Sequence, residues 1–319
     1  MHLTGGPPAA LPGDAPADEG LVDCTVVIVT YNSATEIGGV LDGLPTAATR
    51  LRLRVLVVDN DSADDTAAVV SRYPDARFMP AGGNLGYAAA INLGRGHLAG
   101  SGALLVLNPD MRLAPHSIDR LIEALNEPGV GAAVPRILDR TGALYPSRRR
   151  EPSLTRALGD ALLGKHWPGR PHWLSEMVWA AEEYEHPVAT DWATGAALAI
   201  RAEADRAVGE WDDVRFFLYS EETDYSRRLR DAGWTIRYTP HAVVTHHGGG
   251  SGEGPELFAL NEVNRVRYYE KHHGRFAAGA FRLVVIVNSL LRYTRPASRR
   301  ALRALVSRRR WSALPGRYP

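Results

Sequence analysis

Through its first third the chain alternates short aliphatic and β-branched runs with stretches of helical spacing. Thr25-Val-Val-Ile-Val29 stops at Thr30-Tyr-Asn-Ser33, Leu53-Arg-Val-Leu-Val-Val58 stops at Asp59-Asn-Asp-Ser62, and Ala103-Leu-Leu-Val-Leu107 stops at Asn108-Pro-Asp110. Runs of this length without polar alternation predict strands covered on both faces. Helical stretches reach to about Leu44, open after Ser62 and pass through Ala88–Asn92, and a weaker strand is expected near Arg77-Phe78. Ser62 with Asp65 reads as a capping box for the second helix. Strand–helix alternation predicts an α/β fold, a mostly parallel Rossmann-like sheet flanked by helices. Ligands in such sheets collect at the carboxyl ends of strands, and every polar cluster named here sits at one.

The second half is less regular. From Tyr145 to Pro187 the chain is rich in Trp, Pro, Arg and His, which suits either a loop with short helices over the site or an irregular surface insertion. Pattern returns at Thr190–Ile200, Phe216–Arg230, Thr235–Tyr238 and His241–Ser251. The apolar run Leu283–Leu291 then leads into a densely basic stretch, Arg292–Arg310. That run is shorter than the roughly 20 apolar residues a spanning helix needs. It reads as a C-terminal helix with a solvated basic tail, or as peripheral membrane contact, where each cation near an anionic surface adds roughly 1 kcal/mol.

Composition narrows the class. A net charge of +1 over 319 residues gives no global basic field, so no nucleic-acid partner is expected. The single cysteine, Cys24, excludes an intramolecular disulfide and a cysteine metal site and fits a reducing compartment. Residues 1–22, rich in Ala, Gly, Pro and Asp, read as a disordered leader without the pattern of a signal peptide.

Several residues could carry chemistry. Asp59, at a strand end, can accept from a base imide or a ribose hydroxyl, or can simply initiate a turn. The acids from Asp59 to Asp65 lack the glycine and terminal glutamate of a calcium loop. Gly82-Gly-Asn-Leu-Gly86 lets backbone approach a diphosphate ahead of a helix N-terminus, although it fits neither the dinucleotide nor the Walker pattern. Asp110 offers carboxylate oxygen for a hard divalent cation, and it is also what an exposed turn would contain. On a helix Glu221 and Asp224 share a face, with Glu222 about 100° away; one acid can face a cleft while others cap the helix or pair with Arg227 or Arg228. Adjacent His246 and His247 point apart in an extended chain, so at most one is a ligand.

Taken in order, these pieces resemble the family 2 glycosyltransferases of the GT-A fold. The resemblance rests on Val-Thr-Tyr-Asn at 29–32, Val-Asp-Asn-Asp-Ser at 58–62, Gly-Asn-Leu-Gly-Tyr at 83–87 and Leu-Asn-Pro-Asp at 107–110. It continues with Trp-Ala-Thr-Gly-Ala at 192–196, Phe-Leu-Tyr-Ser-Glu-Glu-Thr-Asp-Tyr at 217–225 and Val-Thr-His-His-Gly at 244–248. Within the family the chain is similar to the rhamnosyltransferase-like branch of bacterial cell-envelope synthesis. Tyr145-Pro-Ser147 and Pro152-Ser-Leu154 are similar to actinobacterial enzymes that add rhamnose to a polyprenyl-diphosphate-linked sugar.

The resemblance implies a division into a GT-A domain at 23–255, with a nucleotide-binding half at 23–112 and an acceptor-side half at 113–255, followed by a helical extension with a basic tail at 256–319. It implies that Thr30, Tyr31, Asn32, Asp59, Asn60, Gly83, Asn84, Gly86 and Asn108 bind the donor, a nucleotide-diphosphate sugar. Asn108-Pro-Asp110 stands where the family has Asp-x-Asp, so Asp110 carries the metal duty with His246 as second ligand, for Mn2+ or Mg2+. Trp192, Gly195 and Asp224 would lie at the glycan or lipid-linked acceptor. The family's catalytic Asp aligns with Glu222, which becomes the expected base of an inverting displacement, with Glu221 as the other candidate. The implied location is cytoplasmic, at the inner face of the plasma membrane. Two rivals are a non-catalytic nucleotide-sugar or glycan-binding protein of the same fold and a nucleotidyltransferase; the latter lacks the expected glycine- and arginine-rich triphosphate loop near its N-terminus.

Overall fold

The computed structural model describes residues 20–164, 167, 169–248 and 254–316, so most of the expected leader lies outside the described residues. The first four strands and three helices follow the hydrophobic pattern: β1 (Val22–Thr30), α1 (Ile37–Ala47), β2 (Leu53–Asp59), α2 (Thr66–Val70), β3 (Ala76–Pro80), α3 (Tyr87–Arg95) and β4 (Ser101–Leu107). β5 (Met111–Leu113), α4 (Ser117–Leu125) and β6 (Val130–Leu138) complete the first half. β7 (Arg148–Arg149), α5 (Leu154–Leu163), β8 (Val188–Thr190), β9 (Trp192–Ala193), β10 (Ala197–Arg201), α6 (Ala202–Val208), α7 (Glu221–Asp231) and β11 (Thr235–His246) follow. The chain closes with α8 (Pro255–His272), α9 (Arg275–Leu291) and α10 (Pro296–Leu305).

The main sheet runs β3-β2-β1-β4-β10-β6-β11-β5, with β8 paired to β11; β7 and β9 form a separate ribbon. β3, β2, β1 and β4 are mutually parallel, as are β6 and β11, while β10 joins the two groups antiparallel to both. Both faces are covered. Val26 and Ile28 of β1 pack with Ile37, Val40 and Leu41 of α1 and Ile118 and Leu121 of α4. Val27 and Val29 pack on the other side with Ala88 and Ile91 of α3 and Tyr225 and Leu229 of α7. Side chains alternate across a strand, so a run apolar at every position feeds two cores.

Three expectations change. Ser62 and Asp65 form no capping box: Ser62 turns back to Asp59, and Thr66 is held instead by Asp64. The pattern from Thr190 to Ile200 spans the end of β8, β9 and most of β10. The runs at Thr235 and His241 merge into β11, which carries a register shift between Thr239 and Val243. The segment after Tyr145 folds as the ribbon, α5 and short 3-10 turns.

The last helices are built on a third core. It joins Val263 and Val266 of α8, Phe281 and Val285 of α9 and Leu305 of α10 to Ala157 of α5, with Phe217, Leu218 and Tyr219 packed against it. The apolar run Leu283–Leu291 is the second half of α9, with Val285 and Ser289 buried and Leu283, Leu290 and Leu291 exposed. Among the described residues no helix is long and apolar enough to cross a membrane.

Candidate active site

The polar clusters at the ends of β1 and β2 are tied to one another. Thr30 Oγ1 donates to Asp59 Oδ1 at 2.7 Å, and Ser62 donates to the same carboxylate from its amide at 2.9 Å and its hydroxyl at 2.6 Å. Asn32 closes the turn, its amide donating to Ser62 Oγ at 2.8 Å and its Oδ1 accepting from the Ala63 amide at 2.8 Å. Asn32 and Asp61 take left-handed backbone, φ 51° and 66°, which Asn and Asp tolerate best among residues with a side chain. The ring of Tyr31 is left exposed beside them.

Buried Asn60 reaches the glycine loop: its Nδ2 donates to the Gly86 carbonyl at 3.1 Å and its Oδ1 accepts from the Leu85 amide at 3.2 Å. Asn84 Oδ1 accepts from the Gly86 amide at 3.2 Å. Gly86 has φ 90°, and a Cβ there would lie 2.4 Å from the Phe217 carbonyl oxygen, so only glycine fits. Gly83 faces outward, with no atom closer than 4.0 Å to where its Cβ would be. The loop is anchored on one side and open on the other.

The Tyr87 amide donates to the Phe217 carbonyl at 2.7 Å, and its hydroxyl donates to Asn108 Oδ1 at 2.7 Å and lies 3.2 Å from the Gly195 carbonyl. Tyr87 therefore joins three of the motifs. Its role escapes a reading that stops at the glycines, although it closes the Gly-Asn-Leu-Gly-Tyr run. Burial raises its hydroxyl well above the ordinary range, and the negative charges of Glu221, Glu222 and Asp110 add to that shift.

Asp110 follows β4 and is buried. β11 pairs antiparallel with β5, setting His246 opposite Met111, and His246 Nε2 lies 3.1 Å from Asp110 Oδ2. His247 contributes its amide to the Asp110 carbonyl at 3.0 Å. Asp110 Oδ1 is buried without a hydrogen-bond partner among the described residues. A free carboxylate oxygen next to an imidazole nitrogen is a donor set that suits Mn2+ or Mg2+. No group of three or more His, Cys, Asp or Glu among the described residues is placed to hold a metal.

Helix α7 opens after Tyr219 and Ser220, both in left-handed backbone at φ 71° and 70°. For residues of this kind that conformation costs on the order of 1–3 kcal/mol each and persists only where the surroundings impose it. The restraint is buried Asn264 of α8, whose Nδ2 donates to the carbonyls of Leu218 at 2.9 Å and Tyr219 at 3.1 Å. Nothing in the local sequence announces it.

Glu221 is buried and Glu222 half-buried. Each has one enclosed carboxylate oxygen, Oε2, with no partner among the described residues. Burial lifts Glu221 well above the usual carboxylate range, and the charge of Glu222 adds to it. Burial also raises Glu222, but backbone hydrogen bonding and the guanidinium of Arg149 offset part of this. Gly195 packs on Glu222: a Cβ there would touch Glu222 Cβ at 3.4 Å and Cδ at 3.8 Å.

Asp224 departs from its expected place at the acceptor. It is fully buried and is held by Arg228 at 2.9 Å, Lys271 at 2.7 Å and His272 at 2.8 Å. Burial alone would raise its carboxyl; His272, Lys271 and Arg228 overcome that and bring it down to about 2. It sits on the buried face of α7, against α8, and serves as an anchor.

Glu222, Trp192 and Tyr145 line a cleft of about 830 Å³ shared with Arg149, Tyr219 and Trp179. Tyr145 also meets the His246 ring edge-on, centroids 6.0 Å apart, so the Asp110–His246 pair adjoins this cleft. Arg149, which the sequence reading left unassigned, is fixed by the pairing of β7 with β9 opposite Trp192.

Residues 25–177 match the family model described as glycosyl transferase family 2. An N-acetylglucosaminyl-diphospho-decaprenol L-rhamnosyltransferase of Mycobacterium tuberculosis is 37% identical over 268 residues, 79% of this chain and 86% of that protein. Among solved structures, the Pyrobaculum calidifontis mannosyltransferase PcManGT in complex with GDP-Man and Mn2+ superposes with a TM-score of 0.55 at 19% identity, over 92% of this chain and 77% of that one. GalNAc-T7 with UDP, GalNAc and Mn2+ gives 0.56 at 16% identity, over 79% and 48%. At these identities the two structures speak for a shared fold.

Proposed function

The chain belongs to glycosyl transferase family 2, and on that premise we propose that it moves L-rhamnose from dTDP-rhamnose, with inversion, to a hydroxyl of N-acetylglucosamine carried on a polyprenyl diphosphate. The sugar and the acceptor follow the 37%-identical mycobacterial relative. The observation that carries the chemistry is Glu222, a carboxylate lining an 830 Å³ cleft with one oxygen unclaimed by the protein.

In this reading the acceptor hydroxyl lies in the cleft beside Trp192 and Gly195. Its oxygen attacks the anomeric carbon, Glu222 takes its proton, and the bond to the diphosphate breaks with its electron pair leaving on dTDP. General-base assistance of this kind is worth about 10²–10⁴-fold. Glu222 suits the task because burial raises its carboxyl, which makes it a stronger base than an exposed carboxylate. Asp110 and His246 would hold a divalent cation, Mn2+ or Mg2+, which supplies positive charge to the departing diphosphate. The open face of the Gly83–Gly86 loop and the start of α3 receive the same group, where a helix N-terminus favours negative charge. Thr30, Asp59 and the exposed Tyr31 ring border the nucleoside. The enzyme would work in the cytoplasm against the inner face of the plasma membrane, with its basic C-terminal helices toward the anionic surface.

The test is dTDP release from dTDP-rhamnose with Mn2+ or Mg2+, with and without a polyprenyl-diphosphate N-acetylglucosamine acceptor. Release that rises with acceptor and stops on chelation is the expected outcome. Release from a UDP- or GDP-sugar instead would keep the class and discard the sugar.

A further inference from the structure

The cleft extends from Glu222 between α5, α8 and α9, and its far end carries side chains that the transfer step does not use. Two arginines on that wall are already neutralised: Arg170 pairs with Asp160, and Arg265 lies 3.3 Å from Glu176 and 3.4 Å from Glu262. Arg292 and Arg295, which line the same cleft with Gly164, are different. The Arg292 guanidinium donates to neutral oxygens, the Ala161 carbonyl at 3.1 Å, the Asp160 carbonyl at 3.4 Å, and Asn288. Arg295 is exposed and has no acidic partner among the described residues. A guanidinium without a carboxylate partner keeps the planar fork that binds phosphate oxygens in pairs.

The surface around this end is apolar. Leu158 and Leu162 of α5 are 43% and 59% exposed, Leu290 and Leu291 of α9 are 50% and 58%, and Tyr293 is 54%. α5 packs on α9, and Arg292 bonds back to the end of α5. Leu162 and Leu291 are also the chain neighbours of Ala161 and Arg292, the two residues joined by the hydrogen bond. Leucines on a soluble surface, clustered and rimmed by cations, mark a site for a ligand that is apolar and anionic at once.

We propose that this end of the cleft is the entry port for the acceptor's lipid diphosphate: Arg292 and Arg295 bind the diphosphate, and the first isoprene units lie on the exposed leucines of α5 and α9. The port rests on the rhamnosyl-transfer reading for the class of its occupant, and it explains why a transferase cleft is built partly from helices outside the main sheet. The sugar reaches Glu222 from one end while the lipid remains at the other.

Binding of farnesyl diphosphate to the whole chain, measured by calorimetry, tests the port without any donor. Inorganic diphosphate and farnesol serve as the two half-ligands. The wild type is expected to bind farnesyl diphosphate more tightly than either. Arg295→Glu changes an exposed residue, so the fold should survive, and it should weaken farnesyl diphosphate about 10-fold or more, the worth of a charge-assisted contact. Leu162→Gln with Leu291→Gln should weaken farnesyl diphosphate and leave inorganic diphosphate unchanged. Unaltered farnesyl diphosphate binding in Arg295→Glu overturns the port, and so does an anion site indifferent to the leucines. dTDP release by the same wild-type protein separates the two readings. Arginine-dependent binding without release from dTDP-rhamnose keeps the port and removes the donor assignment; release without such binding keeps the reaction and removes the port.

Discussion

The two halves of the site treat their polar groups in opposite ways. From Val22 to Leu107 no buried side-chain polar atom lacks a partner among the described residues; Thr30, Asp59, Asn60 and Ser62 bond to one another and to backbone. On the reaction side, the buried carboxylate oxygens without a partner belong to Asp110, Glu221 and Glu222. A buried polar atom left unmade costs about 1–3 kcal/mol, so a protein keeps such atoms where a ligand supplies the missing bond. The cluster at the ends of β1 and β2 is closed by its own bonds, and these three carboxylates each keep an oxygen free for a further partner.

The comparison can be broken most decisively at Glu222. Glu222→Gln should lower kcat by about 10²–10⁴-fold, the usual worth of a positioned base, while dTDP affinity and Tm hold; a small loss would move the base elsewhere. The next effect belongs to the closed cluster. Asp59→Ala strips Thr30 and Ser62 of their acceptor, and urea denaturation should show a loss of about 1–3 kcal/mol for each orphaned donor. A neutral result would mean that Asp59 is there for the ligand alone.

The smallest effect sharpens the division of labour between the two glutamates. Glu221 has its pKa raised in the folded state, so its contribution to stability is complete below the ordinary glutamate value of 4.5 and is lost as pH rises through the raised value. Glu221→Gln removes that loss. Its Tm should match the wild type at pH 4 and exceed it increasingly as pH rises above 4.5, levelling off past the raised value. The acid limb of kcat/KM, set by Glu222, should stay where it is. An inactive Glu221→Gln protein would exchange the two roles.

The nucleotide half was legible because each strand announces itself as an apolar run and each run ends in the polar residues that matter. Asp110 and His246 stood out by residue type alone, but their closeness depends on β11 lying next to β5, which local periodicity cannot encode. Asp224 was misplaced because a helical wheel gives faces without naming what covers them; Lys271 and His272 arrive from 47 and 48 residues further along the chain. Tyr219 and Ser220 read as ordinary residues, and their strained backbone is visible only with Asn264 in place. Arg149, Arg292 and Arg295 belong to segments of weak pattern, where charge gave no hint of which cations go unpaired.

The hold of α8 on the turn before α7 has a consequence for how the protein comes into being. A ribosome releases the glycine loop, Asp110, Glu222 and His246 before it has finished α8. At that moment the nascent chain carries all of the family's motifs, yet Leu218 and Tyr219 lack the Asn264 amide that holds their carbonyls, and Asp224 has Arg228 but neither Lys271 nor His272. Removing partners from a buried ion-pair network is destabilising, so a chain that ends before α8 is expected to hold the helix bearing Glu222 less firmly. A chain truncated before residue 264 carries every motif named above but lacks the amide that holds the turn before α7.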